Sequence, residues 1–130
     1  MTVPFTSVAV AFALLFLSKV PVGMAQAKQP EGYNNRHPRD QQAKLSGWGR
    51  RALAAHLNGF ESFPAFACAV LVSHVGQADP QWSALLAVAH VVARTGYIGA
   101  YIADIHLLRT TLWAIGTGCT FALFVLPAFA

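Results

Sequence analysis

The sequence predicts an all-α integral membrane protein, in which a single domain over residues 1–130 forms a bundle of four bilayer-spanning helices. Apolar side chains make up 55% of the 130 residues and charged side chains 11%, and the mean hydropathy is +0.48. That composition supplies more apolar surface than the core of a small soluble domain can bury. Since one crossing takes about 20 mostly apolar residues, four crossings leave no room for a separate soluble domain.

The first apolar run covers residues 3–24 and predicts a membrane-spanning helix that the mature protein retains. At about 1.5 Å of rise per residue the run is long enough to cross a bilayer. Pro21 marks either the end of this helix or a kink in it. A cleaved signal peptide is the alternative, because the small residues Ala25 and Ala27 follow the run, but no positively charged segment precedes it.

Residues 26–51 are polar and rich in turn-forming side chains, so they predict a loop. Six of the nine Lys and Arg residues lie in this loop: Lys28, Arg36, Arg39, Lys44, Arg50 and Arg51. By the positive-inside rule the loop is expected to face the cytoplasm. Because the basic residues are concentrated in one loop instead of along a polar fold, they argue against nucleic acid as a partner.

Three further apolar runs, at about residues 52–76, 82–102 and 111–129, predict the other crossings. The turn at residues 77–80 contains no Lys or Arg and is expected outside. A polar break at Asp104, His106 and Arg109 is expected on the cytoplasmic side, because it contains an arginine. Four crossings then place both termini outside.

Two of the predicted helices contain polar side chains where a membrane helix should have few. The second helix has them seven and three residues apart, at Arg51, Asn58 and Glu61. The third helix has them four, three and four residues apart, at His90, Arg94, Tyr97 and Tyr101. Each set lies on one face of its helix. A charge at mid-membrane costs at least ~2.5 kcal/mol, so the two faces are expected to meet each other or a hydrated cavity.

Glu61 and Arg94 are the natural counter-charges within this polar region. They either belong to a functional site or form a buried ion pair that fixes the helix register. The five histidines lack the spacing of a metal site, so no metal is expected. Cys68 and Cys119 lie in apolar runs and are expected to be free buried thiols. Motifs for hydrolases, phosphate loops and dinucleotide binding are missing from the sequence.

The polar residues of the second and third helices resemble a known family, the MAPEG family of membrane-associated proteins in eicosanoid and glutathione metabolism. Residues 51–66 are similar to the family's second-helix signature of arginine, asparagine, glutamate and proline, here Arg51, Asn58, Glu61 and Pro64. Arg94, Tyr97 and Tyr101 match the spacing of a third-helix motif. The Asn-Arg-His-Pro-Arg stretch at 35–39 and Gly47-Trp48 are similar to those of the short bacterial members.

This resemblance implies a homotrimer in a bacterial inner membrane that uses glutathione as a co-substrate to attack lipophilic electrophiles, as a transferase or peroxidase. It also implies which side chains hold glutathione: Arg51, Asn58, Glu61, Arg94, Tyr97 and Tyr101. Arg109 corresponds to the catalytic arginine that stabilises the thiolate, one residue away from the family's usual position. Ala54 stands where active members commonly have a second arginine.

Two other functions are compatible with the same polar residues. The chain is alternatively a non-catalytic oligomer that binds a lipid or small ligand and uses its polar faces for assembly. A transporter or proton path is the third hypothesis, because buried acids, arginines and tyrosines can form proton relays. It is the weakest of the three, since no predicted helix is broken at mid-membrane as transporter helices are.

Overall fold

The computed structural model describes residues Met1–Ala130, and all of its regular elements are helices. They are α1 (Val3–Leu17), α2 (Lys19–Ala27), α3 (Pro38–Ala43), α4 (Gly47–Val75), α5 (Pro80–Ile102), α6 (His106–Val125) and a final 3₁₀ turn (Leu126–Phe129). The all-α prediction is therefore confirmed. Only short turns separate most of these helices, so consecutive helices are close neighbours in space.

Three stretches are long and apolar enough to cross a bilayer: Val3–Ala27, Pro80–Ile102 and His106–Phe129. They support the prediction of an integral membrane protein. Helix α4 has 29 residues and a length of about 43 Å, which exceeds the ~30 Å hydrocarbon core. It is not among the three because its first half is polar. The fourth crossing therefore stays a prediction.

The predicted helix over residues 3–24 is two helices, because the chain breaks at Ser18 between α1 and α2. Pro21 explains the break, since it has no N–H to donate to the carbonyl of Leu17 and its ring clashes with that carbonyl. The Ser18 hydroxyl donates to the Leu15 carbonyl at 2.8 Å and lies 2.8 Å from His56 Nδ1 of α4. This contact ties the break to α4.

Two helices begin earlier than the sequence predicts: the one that follows the basic loop and the one that follows the last turn. Helix α4 begins at Gly47 instead of residue 52, and α6 begins at His106 instead of residue 111. The predicted boundaries followed the change from polar to apolar side chains, but polar side chains do not prevent a helix. Gly47 has φ +57°, a backbone conformation that glycine adopts without strain, at the point where α4 starts.

The basic loop is folded, and it contains the short helix α3. Three glutamines bury their side chains between α2 and α3: Gln26, Gln41 and Gln42. Gln41 is the centre of this cluster, because its Nε2 donates to the Gly32 carbonyl at 2.7 Å and its Oε1 accepts from the Asn34 amide at 3.0 Å. Gln26 Nε2 also donates to Gln41 Oε1, at 3.1 Å. These bonds satisfy buried amide groups that would otherwise destabilise the loop.

The long helices pack around a small apolar core of Phe66, Val70, Ala87, Leu123 and Ala11. Helices α4 and α5 contact each other, and each of them also contacts α1 and α6. The α4–α5 turn, the N-terminus and the 3₁₀ turn share one end of the molecule. The basic loop and the α5–α6 turn share the other end, which we call the loop end.

Candidate functional site

The polar faces of α4 and α5 meet at two adjoining cavities that α6 closes from one side. The inner cavity, about 410 Å³, is lined by Asn58, Glu61, Ser62, Ala65, His90, Arg94, Trp113, Thr117, Thr120, Phe121 and Phe124. The turn-side cavity, about 300 Å³, lies towards the loop end and is lined by Asn58, Tyr97, Tyr101, Arg109, Thr110 and Trp113. Six of the seven predicted site residues therefore line one cavity or the other.

Asn58 and Glu61 form the α4 wall of the inner cavity. They are three residues apart, one helical turn, and Asn58 Nδ2 donates to Glu61 Oε2 at 2.7 Å. Asn58 Oδ1 is the one fully enclosed side-chain polar atom that has no hydrogen-bond partner. The Glu61 side chain is itself exposed. Asn58 therefore fixes the orientation of a carboxylate that stays accessible.

Arg94 is a buried cation without a protein acceptor. Its side chain is 6% exposed, and its guanidinium carbon lies 4.2 Å from the centroid of the Tyr97 ring. None of its nitrogens makes a hydrogen bond, and no carboxylate oxygen lies within 4.0 Å of them. The buried ion pair between Glu61 and Arg94, one of the two alternatives that the sequence left open, does not form in the single chain, although both side chains line the inner cavity. The guanidinium keeps its full capacity to bind an anion.

Tyr97, Tyr101 and Arg109 surround the turn-side cavity. The two tyrosine rings meet edge to face with 5.6 Å between centroids. Arg109 lies in the first turn of α6, and its guanidinium carbon is 4.7 Å from the centroid of the Tyr101 ring. The sequence predicted a polar break at Arg109, but the helix that begins at His106 points this arginine at the tyrosines. The contact is a cation–π interaction.

Arg51 lies apart from the other predicted site residues and lines neither cavity. Its Nε donates to the carbonyl of Ile102, the last residue of α5, at 3.1 Å. The last carbonyls of a helix have no partner within the helix, and a basic side chain there satisfies one of them. Arg51 therefore joins the start of α4 to the end of α5. Its predicted contact with a ligand stays a prediction.

The sequence places His90 on the polar face of the third helix without assigning it to the site, and the structure places it in the wall of the inner cavity. It is 2% exposed and its ring stacks on Phe66 with 3.8 Å between centroids. Its position four residues before Arg94 was the available signal.

The wall that α6 contributes, made of three aromatic side chains and two threonines, was also not predicted. Its members are Trp113, Thr117, Thr120, Phe121 and Phe124. Their spacing of four, three, one and three residues is typical of one helical face, and this was the signal that could have identified the wall.

The largest cavity, about 520 Å³, is at the opposite end of the molecule and contains none of the predicted site residues. It lies between the N-terminus and the α4–α5 turn. Its buried hydroxyls, Ser73 and Ser83, hydrogen-bond to each other at 2.8 Å. This cavity has no charged side chain in its lining, so it offers no chemistry comparable with that of the inner cavity.

Comparison with known proteins identifies the family of the chain. The pattern of the MAPEG family matches residues 3–129, which includes both polar faces and the basic loop. No curated protein and no solved structure is significantly similar to the chain. With a match of this extent, and with three helices suited to a bilayer, the chain belongs to the MAPEG family of membrane proteins in eicosanoid and glutathione metabolism.

Proposed function

We propose that this protein is a glutathione-dependent transferase or peroxidase that acts on lipophilic electrophiles. The observation that supports this proposal most directly is the buried Arg94 guanidinium, which has no acceptor in the protein and lines a cavity together with Glu61. An unpaired buried charge is costly, so a ligand that supplies the missing anion gains affinity from it.

Glutathione matches the charged side chains of the two cavities and of the start of α4. It has two carboxylates, which Arg94 and Arg51 bind in this proposal, and an ammonium group, which Glu61 accepts. Tyr97 and Tyr101 donate their hydroxyls to its peptide groups. Asn58 holds the Glu61 carboxylate in place through the 2.7 Å hydrogen bond.

Arg109 has the catalytic role in this proposal. A free thiol has a pKa near ~8.5, so little thiolate exists at neutral pH unless a cation stabilises it. The Arg109 guanidinium beside Tyr101 supplies such a cation in the turn-side cavity. In the transferase reaction the thiolate sulfur forms a bond to the electrophilic carbon as the bond to the leaving group breaks. In the peroxidase reaction the sulfur forms a bond to one peroxide oxygen as the O–O bond breaks, the released alkoxide takes a proton, and a second glutathione thiol then displaces water to give the disulfide.

The lipophilic substrate comes from the bilayer in this proposal. Three aromatic side chains of α6 line the inner cavity and remain exposed on the outside of the chain: Trp113, Phe121 and Phe124. In this proposal only these side chains, and no helix backbone, separate the cavity from the lipid. A hydrophobic electrophile that is dissolved in the membrane passes between them to reach the thiolate.

The proposed assembly is a homotrimer in a bacterial inner membrane, with the basic loop in the cytoplasm and both termini outside. Large apolar side chains cover the outer surface of the helices, including Phe16, Val92 and Phe121. A bilayer and neighbouring copies together would cover this surface.

The test is glutathione binding by the protein in detergent, with ultraviolet absorbance of the thiolate as the second readout. We expect saturable binding with a thiolate band, and at least about tenfold weaker binding after Arg94→Met because a charged hydrogen bond is lost. Arg50→Met, an exposed arginine on α4, is the matched control and should bind normally. If the folded oligomer binds no glutathione, the enzyme hypothesis is wrong and the polar faces serve assembly.

A further inference from the structure

Two buried serines have one hydroxyl proton between them that no protein group accepts. Ser73 of α4 is 1% exposed and Ser83 of α5 is 7% exposed, and their hydroxyl oxygens lie 2.8 Å apart. Neither hydroxyl has another hydrogen-bond partner, whereas the buried Ser7 and Ser18 each donate to a carbonyl of α1. Each serine has one proton to donate, and the bond between the two uses one of them. The pair therefore keeps one free O–H donor.

The free donor belongs to the largest cavity, of about 520 Å³, between the N-terminus and the α4–α5 turn. Both serines line this cavity, and neither lines the inner or the turn-side cavity. Apolar side chains, among them Val3, Phe5 and Val70, form most of the remaining lining. The volume is within the range of small-molecule sites in proteins. The cavity can therefore hold a small molecule in contact with the serine pair.

The charge and the position of the cavity restrict the chemistry of that molecule. Lys, Arg, Asp and Glu are absent from the lining, so a charged ligand would be buried without a counter-charge. Trp82, which precedes Ser83, is 57% exposed. Tryptophan side chains concentrate at the headgroup level of a bilayer, so this end of α5 is expected at the interface. A ligand that enters here is uncharged and largely apolar.

A carbonyl oxygen is the group that matches the serine pair. It accepts a hydrogen bond and has no proton of its own that needs a second partner. We propose that this cavity binds an uncharged lipophilic molecule whose carbonyl oxygen accepts the free proton of Ser73 and Ser83. The site is separate from the proposed glutathione site, because Ser73 lies twelve residues after Glu61, about 18 Å along α4.

Photolabelling of the protein in detergent tests the site. The probe is benzophenone, an uncharged ketone that forms a covalent bond to a nearby C–H group under near-ultraviolet light. Mass spectrometry of the peptides should place the label on residues that line the cavity, such as Phe5, Val70 or Ala84. The competitors are dicyclohexyl ketone and dicyclohexylmethane, which differ only in the carbonyl oxygen. Their concentrations are expressed as mole fractions in the detergent phase.

We expect the ketone to displace the label at about three- to tenfold lower mole fraction than the hydrocarbon, the usual effect of one neutral hydrogen bond. Ser73→Ala and Ser83→Ala should each keep this preference, because the remaining hydroxyl still has a free proton. The double variant should displace both competitors within about twofold of each other. Ser7→Ala is the matched control and should keep the preference, because Ser7 is buried but does not line the cavity.

Three results would overturn the proposal. They are a label outside the cavity lining, equal displacement by both competitors in the wild-type protein, and a ketone preference that survives in the double variant. The double variant is expected to fold, since removing both partners of a buried hydrogen bond leaves neither group unpaired. Should it not fold, the two competitors on the wild-type protein still decide.

A second pair of competitors distinguishes two sources of the carbonyl group. A diester phosphatidylcholine has ester carbonyls, and the corresponding diether lipid has none. If the diester displaces the label at lower mole fraction than the diether, the cavity holds the ester group of a membrane lipid. If neither lipid displaces it while dicyclohexyl ketone does, the cavity holds a free lipophilic carbonyl compound. Both results support the carbonyl site.

Discussion

At the scale of single residues, the arginines of the helical region differ in what their neighbours supply. Arg51 has a backbone carbonyl as its acceptor, whereas Arg94 has only the face of a tyrosine ring. Sequence spacing placed both on polar faces but could not distinguish them, because a carbonyl at the end of another helix is visible only once the helices are packed. Burial without an acceptor is the reason why the proposed function assigns a ligand carboxylate to Arg94.

Arg51→Met should lower the thermal midpoint of the protein in detergent, because the Ile102 carbonyl loses its hydrogen bond at the junction of α4 and α5. We expect a loss of about 1 kcal/mol, since the arginine is only half-buried. The measurement is thermal unfolding, paired with glutathione binding. A drop in glutathione affinity of tenfold or more would support the carboxylate contact that the proposed function assigns to Arg51, and unchanged binding would leave Arg51 with the structural contact alone.

At the scale of elements, close contacts between helices decide which glycines can be replaced by a larger residue. A Cβ atom at Gly49 of α4 would lie 2.7 Å from the Cβ of Ala25 on α2, closer than carbon atoms approach each other. A Cβ at Gly23, also on α2, would meet nothing within 4 Å. The two glycines are indistinguishable in sequence, and only the α2–α4 contact separates them.

Gly49→Ala should destabilise the protein by about 1–3 kcal/mol, because α2 and α4 must move apart to admit the methyl group. Gly23→Ala should be neutral or stabilising by up to about 1 kcal/mol, since alanine favours helices. Thermal midpoints of the two variants in the same detergent provide the comparison. Equal midpoints would show that α2 and α4 do not pack this closely.

Gln41→Leu should loosen the basic loop, because the Gly32 carbonyl and the Asn34 amide lose their buried partner. Leaving these groups unpaired should lower the stability of the loop by about 1–3 kcal/mol. Limited trypsin digestion tests this, because cleavage after Arg36 and Arg39 should become faster. Asn35→Leu changes an exposed side chain of the same loop and should leave the digestion rate unchanged.

At the scale of the whole molecule, the distribution of charge and apolar surface sets how the chain lies in a bilayer. Exposed basic residues gather at the loop end, and the α4–α5 turn at the other end has none. Since Lys and Arg near a membrane helix favour the cytoplasm, the loop end is expected inside. The length of α4 allows it to join the two ends across the hydrocarbon core.

Cysteine labelling of intact cells tests this orientation. In a variant whose native Cys68 and Cys119 are replaced by alanine, a membrane-impermeant maleimide should label Gln77→Cys but not Asn35→Cys. Inverted membrane vesicles should give the opposite result. Labelling of both positions from the same side would contradict four crossings, because it would place the loop and the α4–α5 turn on one side.

The sequence by itself determined the helical class, the membrane environment and the residues of both polar faces. These properties follow from local composition and from helical periodicity, which each segment expresses without its neighbours. Asn58 and Glu61 are an example, because one helical turn brings them together whatever surrounds α4. Helix ends were predicted less well, since polarity at Arg50 or His106 does not stop a helix.

Only the tertiary structure decided which polar groups meet and which are left without a partner. The His90 ring lies 2.9 Å from a carbonyl oxygen of α6 that is 26 residues away in the chain, and the inner cavity is formed by α4, α5 and α6 together. Arg51 lies outside the cavities because it binds the carbonyl at the end of α5. Arg109 lines the turn-side cavity because the first turn of α6 places it beside the Tyr101 ring. Such contacts arise from packing between distant segments, which periodicity within one segment does not encode.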